Sequence, residues 1–232
     1  RSGSHGSGAS SLADIAEEMA LLQGFGRPDE LVLHCQLCEA FYWLMPRLAG
    51  FQQRHPGVEL RIVSSLNPIT EAKEHFDAAM QTSGRPSGAA KLAFTASDDI
   101  FPVCAPSLRK EPERKLKAAE LGSYPLLAHR VVPQDWMDWS DWFSAVAAAA
   151  PRRPRLLHFD SYPLALQAAA AGQGIALGWK RTTQIMIEEN KLIRPCREFV
   201  SRPTEISVYR GTARALHPDT DKLLAWLSTE LA

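Results

Sequence analysis

The chain has 232 residues, with 26 Lys+Arg balanced by 26 Asp+Glu, 45% hydrophobic residues and 22% charged ones. That composition excludes a disordered or collagen-like chain and leaves room for two α/β lobes of roughly 100 residues each, or one larger α/β unit. A formal net charge of zero lacks the long-range field with which a free-standing nucleic-acid binder collects phosphates.

Residues 1–10 are a Gly/Ser run without an apolar h-region and read as an added tag and linker. Ser11–Leu22 carries a capping Ser, an acidic residue three positions on, and Leu12, Ile15, Met19 and Leu22 at helical spacing. A short amphipathic helix is expected there, ended by Gly24, Gly26 and Pro28. Leu31–Cys35 then reads as a first strand and Glu39–Phe51 as a helix; Val58–Val63 alternates as a strand, Ile69–His75 as a short helix, and Phe76–Met80 as a third strand. Strands alternating with helices over short connections predict parallel βαβ units. Thr82–Gly88 reads as a solvent loop, Lys91–Thr95 and Ile100–Cys104 as two further strands, and Ser107–Glu120 as a charged loop and helix. Pro125–His129 is a strand and Trp136–Ala149 an aromatic helix. Next come a strand at Arg155–Phe159, a cap at Asp160-Ser161 with Pro163 in the first turn, and a helix over Leu164–Ala171. A stop at Gly172-Gln173-Gly174, strands at Ile175–Trp179 and Glu205–Tyr209, and a helix over Asp219–Leu231 complete the chain.

No apolar run approaches the roughly 18 residues of a membrane span. Four cysteines are too few for a disulfide scaffold, and a reducing cytoplasm is the expected compartment. No nucleophile elbow, phosphate loop or HExxH motif is present, and no enzyme is expected. Cys35 and Cys38 form a Cys-x-x-Cys at a strand-to-helix turn, which opens a thiol oxidoreductase reading, or half a zinc site with His34. Cys104 and Cys196 lack the paired spacing that would complete a zinc set, so neither metal nor cofactor is expected, and two small buried thiols explain the pair as well. Trp136, Trp139 and Trp142 at spacing three share one helical face, which means packing against the sheet or an aromatic box for a quaternary ammonium. The acids Asp135 and Asp138 read as a solvated helix face.

Several blocks in order resemble the C-terminal effector-binding domain of LysR-type transcriptional regulators, particularly the glycine-cleavage-activator-like branch. They are Trp43–Leu48 followed by Phe51–Leu60, then Phe76–Met80, Phe101–Pro106, Phe159–Tyr162 with Ala165–Ala169, and Gly172–Trp179. The resemblance implies two Rossmann-like α/β lobes of periplasmic-binding-protein type II architecture with a ligand cleft between them. On that pattern residues 28–100 plus 205–232 form lobe I and 101–204 form lobe II, with 11–27 the end of a linker helix. It implies a homodimer or tetramer, no membrane, and DNA contact only through an N-terminal winged helix-turn-helix outside this sequence. The implied ligand-facing positions are Gln36, Cys38, Glu39, Ser64, Ser65, His129 and Ser161, with Trp136 the indole best placed to join them. Ser and Thr often stand where Cys38 does in the family. For Ser161 a plain N-cap, and for Ser64 and Ser65 a turn, are the alternatives. The implied effector is a small polar or zwitterionic metabolite: an amino acid, a betaine or an amine. A periplasmic solute-binding protein of the same fold is the rival.

Overall fold

A computed structural model describes residues 29–212 and 216–232; the expected tag, linker helix and connector lie outside them. Eight strands form one sheet in the order β2-β1-β3-β8-β4-β7-β5-β6. β1 (Leu31–Gln36), buried at every position, pairs in parallel with β2 (Leu60–Ser65) and β3 (Ala78–Thr82). β5 (Leu126–His129) pairs in parallel with β6 (Leu156–Phe159) and β7 (Ile175–Trp179).

Two long antiparallel strands join these parallel sets: β4 (Lys91–Val103) and β8 (Val200–Arg210). The sequence reads this region as two strands, Lys91–Thr95 and Ile100–Cys104, separated by residues 96–99, but β4 is continuous. Register shifts at Leu92/Phe94 and Ala96/Asp98 absorb the irregularity, and Asp98 is buried rather than in a turn. Ile100 of β4 faces Val200 on one side and Trp179 on the other, so the two halves of the sheet share this strand.

Each half has its own core. The first gathers Leu33, Trp43, Phe51, Met80, Val208 and Trp226; the second gathers Ile100, Leu121, Leu127, Trp142, Leu166 and Ile175. After β1 the chain turns helical at Leu37–Glu39, passes through π and 3-10 geometry over Ala40–Arg47, where Pro46 removes a backbone donor, and continues as α1 (Leu48–Arg54). The predicted helix over Ile69–His75 is only a 3-10 turn, Ile69–Glu71, and Ser107–Glu120 yields only the 3-10 turns Pro106–Leu108 and Ala118–Ser123.

The aromatic helix is α2 (Trp139–Ala145), later than predicted because Asp138 caps it. Asp138 Oδ1 accepts from Asp141 N at 2.8 Å, and Asp141 Oδ2 accepts from Asp138 N. Trp139 and Trp142 pack inward and donate their indole N–H groups to Leu127 O and Ile100 O, while Trp136 precedes the helix and faces elsewhere.

α3 (Tyr162–Ala170) begins after Ser161 as expected and stops at Gly172, whose φ of +77° suits glycine. α4 (Lys180–Glu188) was not anticipated: its buried face is Thr182, Thr183 and Met186, polar enough to hide the period from a hydrophobicity reading. α5 (Thr220–Leu231) closes the first core. Asp77 of the Phe76–Met80 block is a tie, accepting from Val32 N and His217 N at 2.8 Å each.

Candidate functional site

The β1-β2-β3 set and the β5-β6-β7 set run in opposite directions, because three antiparallel pairings (β3 with β8, β8 with β4, β4 with β7) separate them. The carboxyl ends of both sets therefore point inward at the gap between the halves, the place where open α/β folds bind ligands. Here Gln36 ends β1, Ser65 ends β2, Thr82 ends β3, His129 ends β5, Asp160 follows β6 and Trp179 ends β7. A crevice between the halves is lined by Gln36, Cys38, Ser65, Arg85, His129, Trp136 and Asp160. Its volume is about 20 Å³, room for one water, so the two walls stand closed on each other.

The first wall is a hydrogen-bond network. Gln36 Oε1 accepts from Thr82 N at 2.9 Å and from an Arg85 Nη at 3.0 Å. Gln36 Nε2 donates to Glu39 Oε2 at 3.0 Å and to Thr82 Oγ1 at 3.1 Å. Arg85 gives its other Nη to Leu66 O at 2.9 Å. Beyond Thr82 the Thr82–Gly88 segment is the loop its composition predicts, exposed at Gly84, Pro86 and Gly88, but its Arg85 turns inward and is buried and anchored.

The second wall is aromatic. His129 and Trp136 pack with their rings tilted 59° and centroids 4.3 Å apart, and Trp136 meets Tyr162 and Trp179 edge-on at 5.6 and 5.9 Å. Tyr162 Oη accepts from Trp179 N at 3.0 Å and shares a hydrogen bond with Thr182 Oγ1. Burial lowers the His129 imidazole to about 4, and its Nδ1 has no hydrogen-bond partner. One ion pair crosses the crevice, Arg85 Nε to Asp135 Oδ2 at 3.5 Å. Asp135 is thus not the solvated helix acid read from the sequence, and Asp138 is a cap.

Of the eight expected positions, Gln36, Cys38, Ser65, His129 and Trp136 line the crevice, whereas Glu39, Ser64 and Ser161 do not. Ser64 is exposed because it alternates with Ser65 along β2, and Ser65 Oγ accepts from Asn67 N at 2.9 Å, the turn reading. Ser161 is buried at the start of α3 without a side-chain cap bond. Glu39 lies beneath the wall, accepting from Gln36 and from Cys38 Sγ at 2.6 Å. Sequence reasoning missed Arg85, which sits in a segment that reads as a solvent loop, and Asp135, which reads as part of a solvated helix face.

Cys35 and Cys38 are buried in different cores, and burial with the neighbouring Glu39 pushes both thiols well above their ordinary range. That is opposite to the lowered thiol a disulfide-exchange enzyme needs. His34 and Cys35, consecutive on a strand, face opposite sides, and among the described residues no three His, Cys, Asp or Glu side chains group to hold a metal.

A wider groove of about 560 Å³ lies within the second half, lined by Val132, Trp139, Phe143, Pro151 and Leu156 among others. It draws on one half only, and no buried charged group converges on it. Among the described residues no helix is long and apolar enough to cross a membrane.

A fold joining two parallel sets through two shared antiparallel strands, with polar groups converging between them, defines a two-lobed small-molecule-binding domain. The LysR substrate binding domain family matches residues 26–232, and the chain belongs to that family. It is 27% identical over 184 residues to the glycine cleavage system transcriptional activator of Escherichia coli K12, covering 79% of this chain and 59% of that protein. It is 29% identical over 204 residues to the HTH-type transcriptional regulator PerR of the same organism, covering 87% of this chain and 66% of PerR. The chain therefore spans about three fifths of the length of these relatives, which are transcriptional regulators rather than enzymes. The AmpR effector-binding domain from Citrobacter freundii superposes with a TM-score of 0.71 at 22% identity, over 88% of this chain and 98% of that one. The effector domain of AmpR from Pseudomonas aeruginosa gives 0.68 at 25% identity, over 87% and 95%. These place the fold in the type II periplasmic-binding-like class.

Proposed function

We propose that this chain is the sensing domain of a bacterial LysR-type DNA-binding regulator, taking a small polar or zwitterionic metabolite into the crevice and performing no reaction. The observation that carries the reading is the convergence of polar side chains at the carboxyl ends of parallel strands from both halves, which are joined by two shared strands. Residues 28–100 with 205–232 form one lobe and 101–204 the other, so a ligand held by both walls biases their spacing. Only a difference in ligand affinity between the two spacings can drive such a switch. The domain works as a dimer or tetramer in the cytoplasm, and reaches DNA through a winged helix-turn-helix preceding it in the full regulator.

The test is a thermal-shift screen of this chain against amino acids, betaines, amines and small carboxylates. A ligand at a hundred times its Kd stabilises the folded state by about 2.7 kcal/mol. The reading expects a hit that Trp136→Ala abolishes. A hit indifferent to Trp136→Ala and to Arg85→Gln rejects the crevice.

A further inference from the structure

The ion pair across the crevice has an unusual construction. Arg85 comes from the first half and its side chain is only 7% exposed. Two of its nitrogens are committed, one to Gln36 Oε1 and one to Leu66 O, which hold the guanidinium flat against the first wall. The third, Nε, points across the crevice and has no hydrogen-bond partner. Asp135, with its side chain 15% exposed, stands opposite at 3.5 Å, near enough for charge attraction but too far for a good charge-assisted hydrogen bond, which closes to about 2.8 Å. Asp160, also of the second half, lines the same space, and Trp136 and His129 form its apolar side.

We propose that Arg85 and Asp135 form a latch whose two charges are the recognition elements for a free α-amino acid, the ligand's carboxylate taking Arg85 Nε and its ammonium taking Asp135. This deepens the sensing-domain reading and rests on it. A zwitterion inserted between the pair keeps both buried charges matched while replacing one long contact with two short ones. A simple carboxylate of the same size satisfies Arg85 but strands Asp135, and a simple amine does the reverse; either leaves a charge unpaired at a desolvated site. The closed crevice, at about 20 Å³, is far smaller than an amino acid, so the ligand must part the walls as it enters, which couples occupancy to lobe spacing. Asp160 in the lining and Asp135 paired to Arg85 at its edge, two acids against one arginine, also disfavour an acidic side chain on the ligand. Neutral or basic amino acids are therefore the expected class.

The experiment titrates this chain by calorimetry with each protein amino acid in both enantiomers, then compares the tightest with its decarboxylated amine and its deaminated acid. The proposal expects both analogues to bind at least tenfold more weakly. In Asp135→Asn, which leaves the first wall untouched, amino-acid affinity falls at least tenfold while the deaminated acid binds as well as before or better. Arg85→Gln, checked for folding by circular dichroism, removes carboxylate discrimination. If no amino acid binds, if the amine binds as tightly, or if Asp135→Asn changes the Kd less than twofold, the latch does not recognise an amino acid. A non-zwitterionic ligand that binds and is lost in Trp136→Ala would overturn this inference while leaving the sensing-domain reading intact; amino-acid binding indifferent to Trp136→Ala and Arg85→Gln would overturn both.

Discussion

The two walls of the crevice solve the same problem with different chemistry. In the first, Gln36 spends four hydrogen bonds fixing Thr82, Arg85 and Glu39, so its groups are positioned before any ligand arrives. In the second, ring faces of His129, Trp136, Tyr162 and Trp179 pack edge to face with few directional bonds. Hydrogen-bond networks tolerate little displacement, whereas aromatic contacts slide over tenths of an ångström at small cost. The first wall is thus the fixed reference and the second the surface that can adjust. Burial also acts on one titratable group at each wall with opposite signs of shift: it raises Glu39 beneath the first and lowers His129 of the second to about 4, each toward its neutral form.

If the first wall is a rigid network, breaking its centre should cost most. Gln36→Leu leaves Thr82 N–H, an Arg85 N–H and the Glu39 carboxylate short of partners and should lower stability by about 3–4 kcal/mol in urea unfolding. A loss under about 1 kcal/mol would show a wall as adaptable as the other.

Next in size is the shared strand between them. Asp98 of β4 is raised to about 6, chiefly by burial and despite Arg181 at 3.6 Å; its Oδ1 also accepts from Arg181 N at the start of α4. A carboxyl raised in the folded state stabilises most below its unfolded value near 4, and that advantage is lost as pH rises through about 6. Relative to Asp98→Asn, the wild-type chain should therefore lose roughly 3 kcal/mol between pH 3.5 and 7.5. Parallel pH profiles for the two proteins would contradict the burial argument.

On the aromatic wall the effect should be smaller. Tyr162→Phe keeps the ring stack but leaves Trp179 N without its acceptor, for about 1–2 kcal/mol. Smallest of all, Ser161→Ala removes no cap bond and should stay within about 0.5 kcal/mol, with amino-acid affinity unchanged.

The strands and the βαβ order were legible because buried strands are apolar and bounded by turn residues, as in Ile175–Trp179. The crevice was half legible: strand ends such as Gln36, Ser65 and His129 are positions that the family resemblance implies. Arg85 and Asp135 were not, because pairing them needs the fold to bring residues 50 apart in sequence against each other. Nor was α4, whose inward face is threonine, or the continuity of β4 through Asp98, a residue whose partner Arg181 lies 83 positions away. Glu39 looked ligand-facing from its place at a helix start, yet it turns inward to Gln36 and Cys38.

Hydrogen-exchange mass spectrometry of this chain, with and without the amino acid that stabilises it most, tests the central claim directly. Sensing in the crevice predicts protection at 36–39, 82–85 and 129–136 together, one set from each wall. Protection confined to 139–158, around the wide groove of the second half, would contradict it.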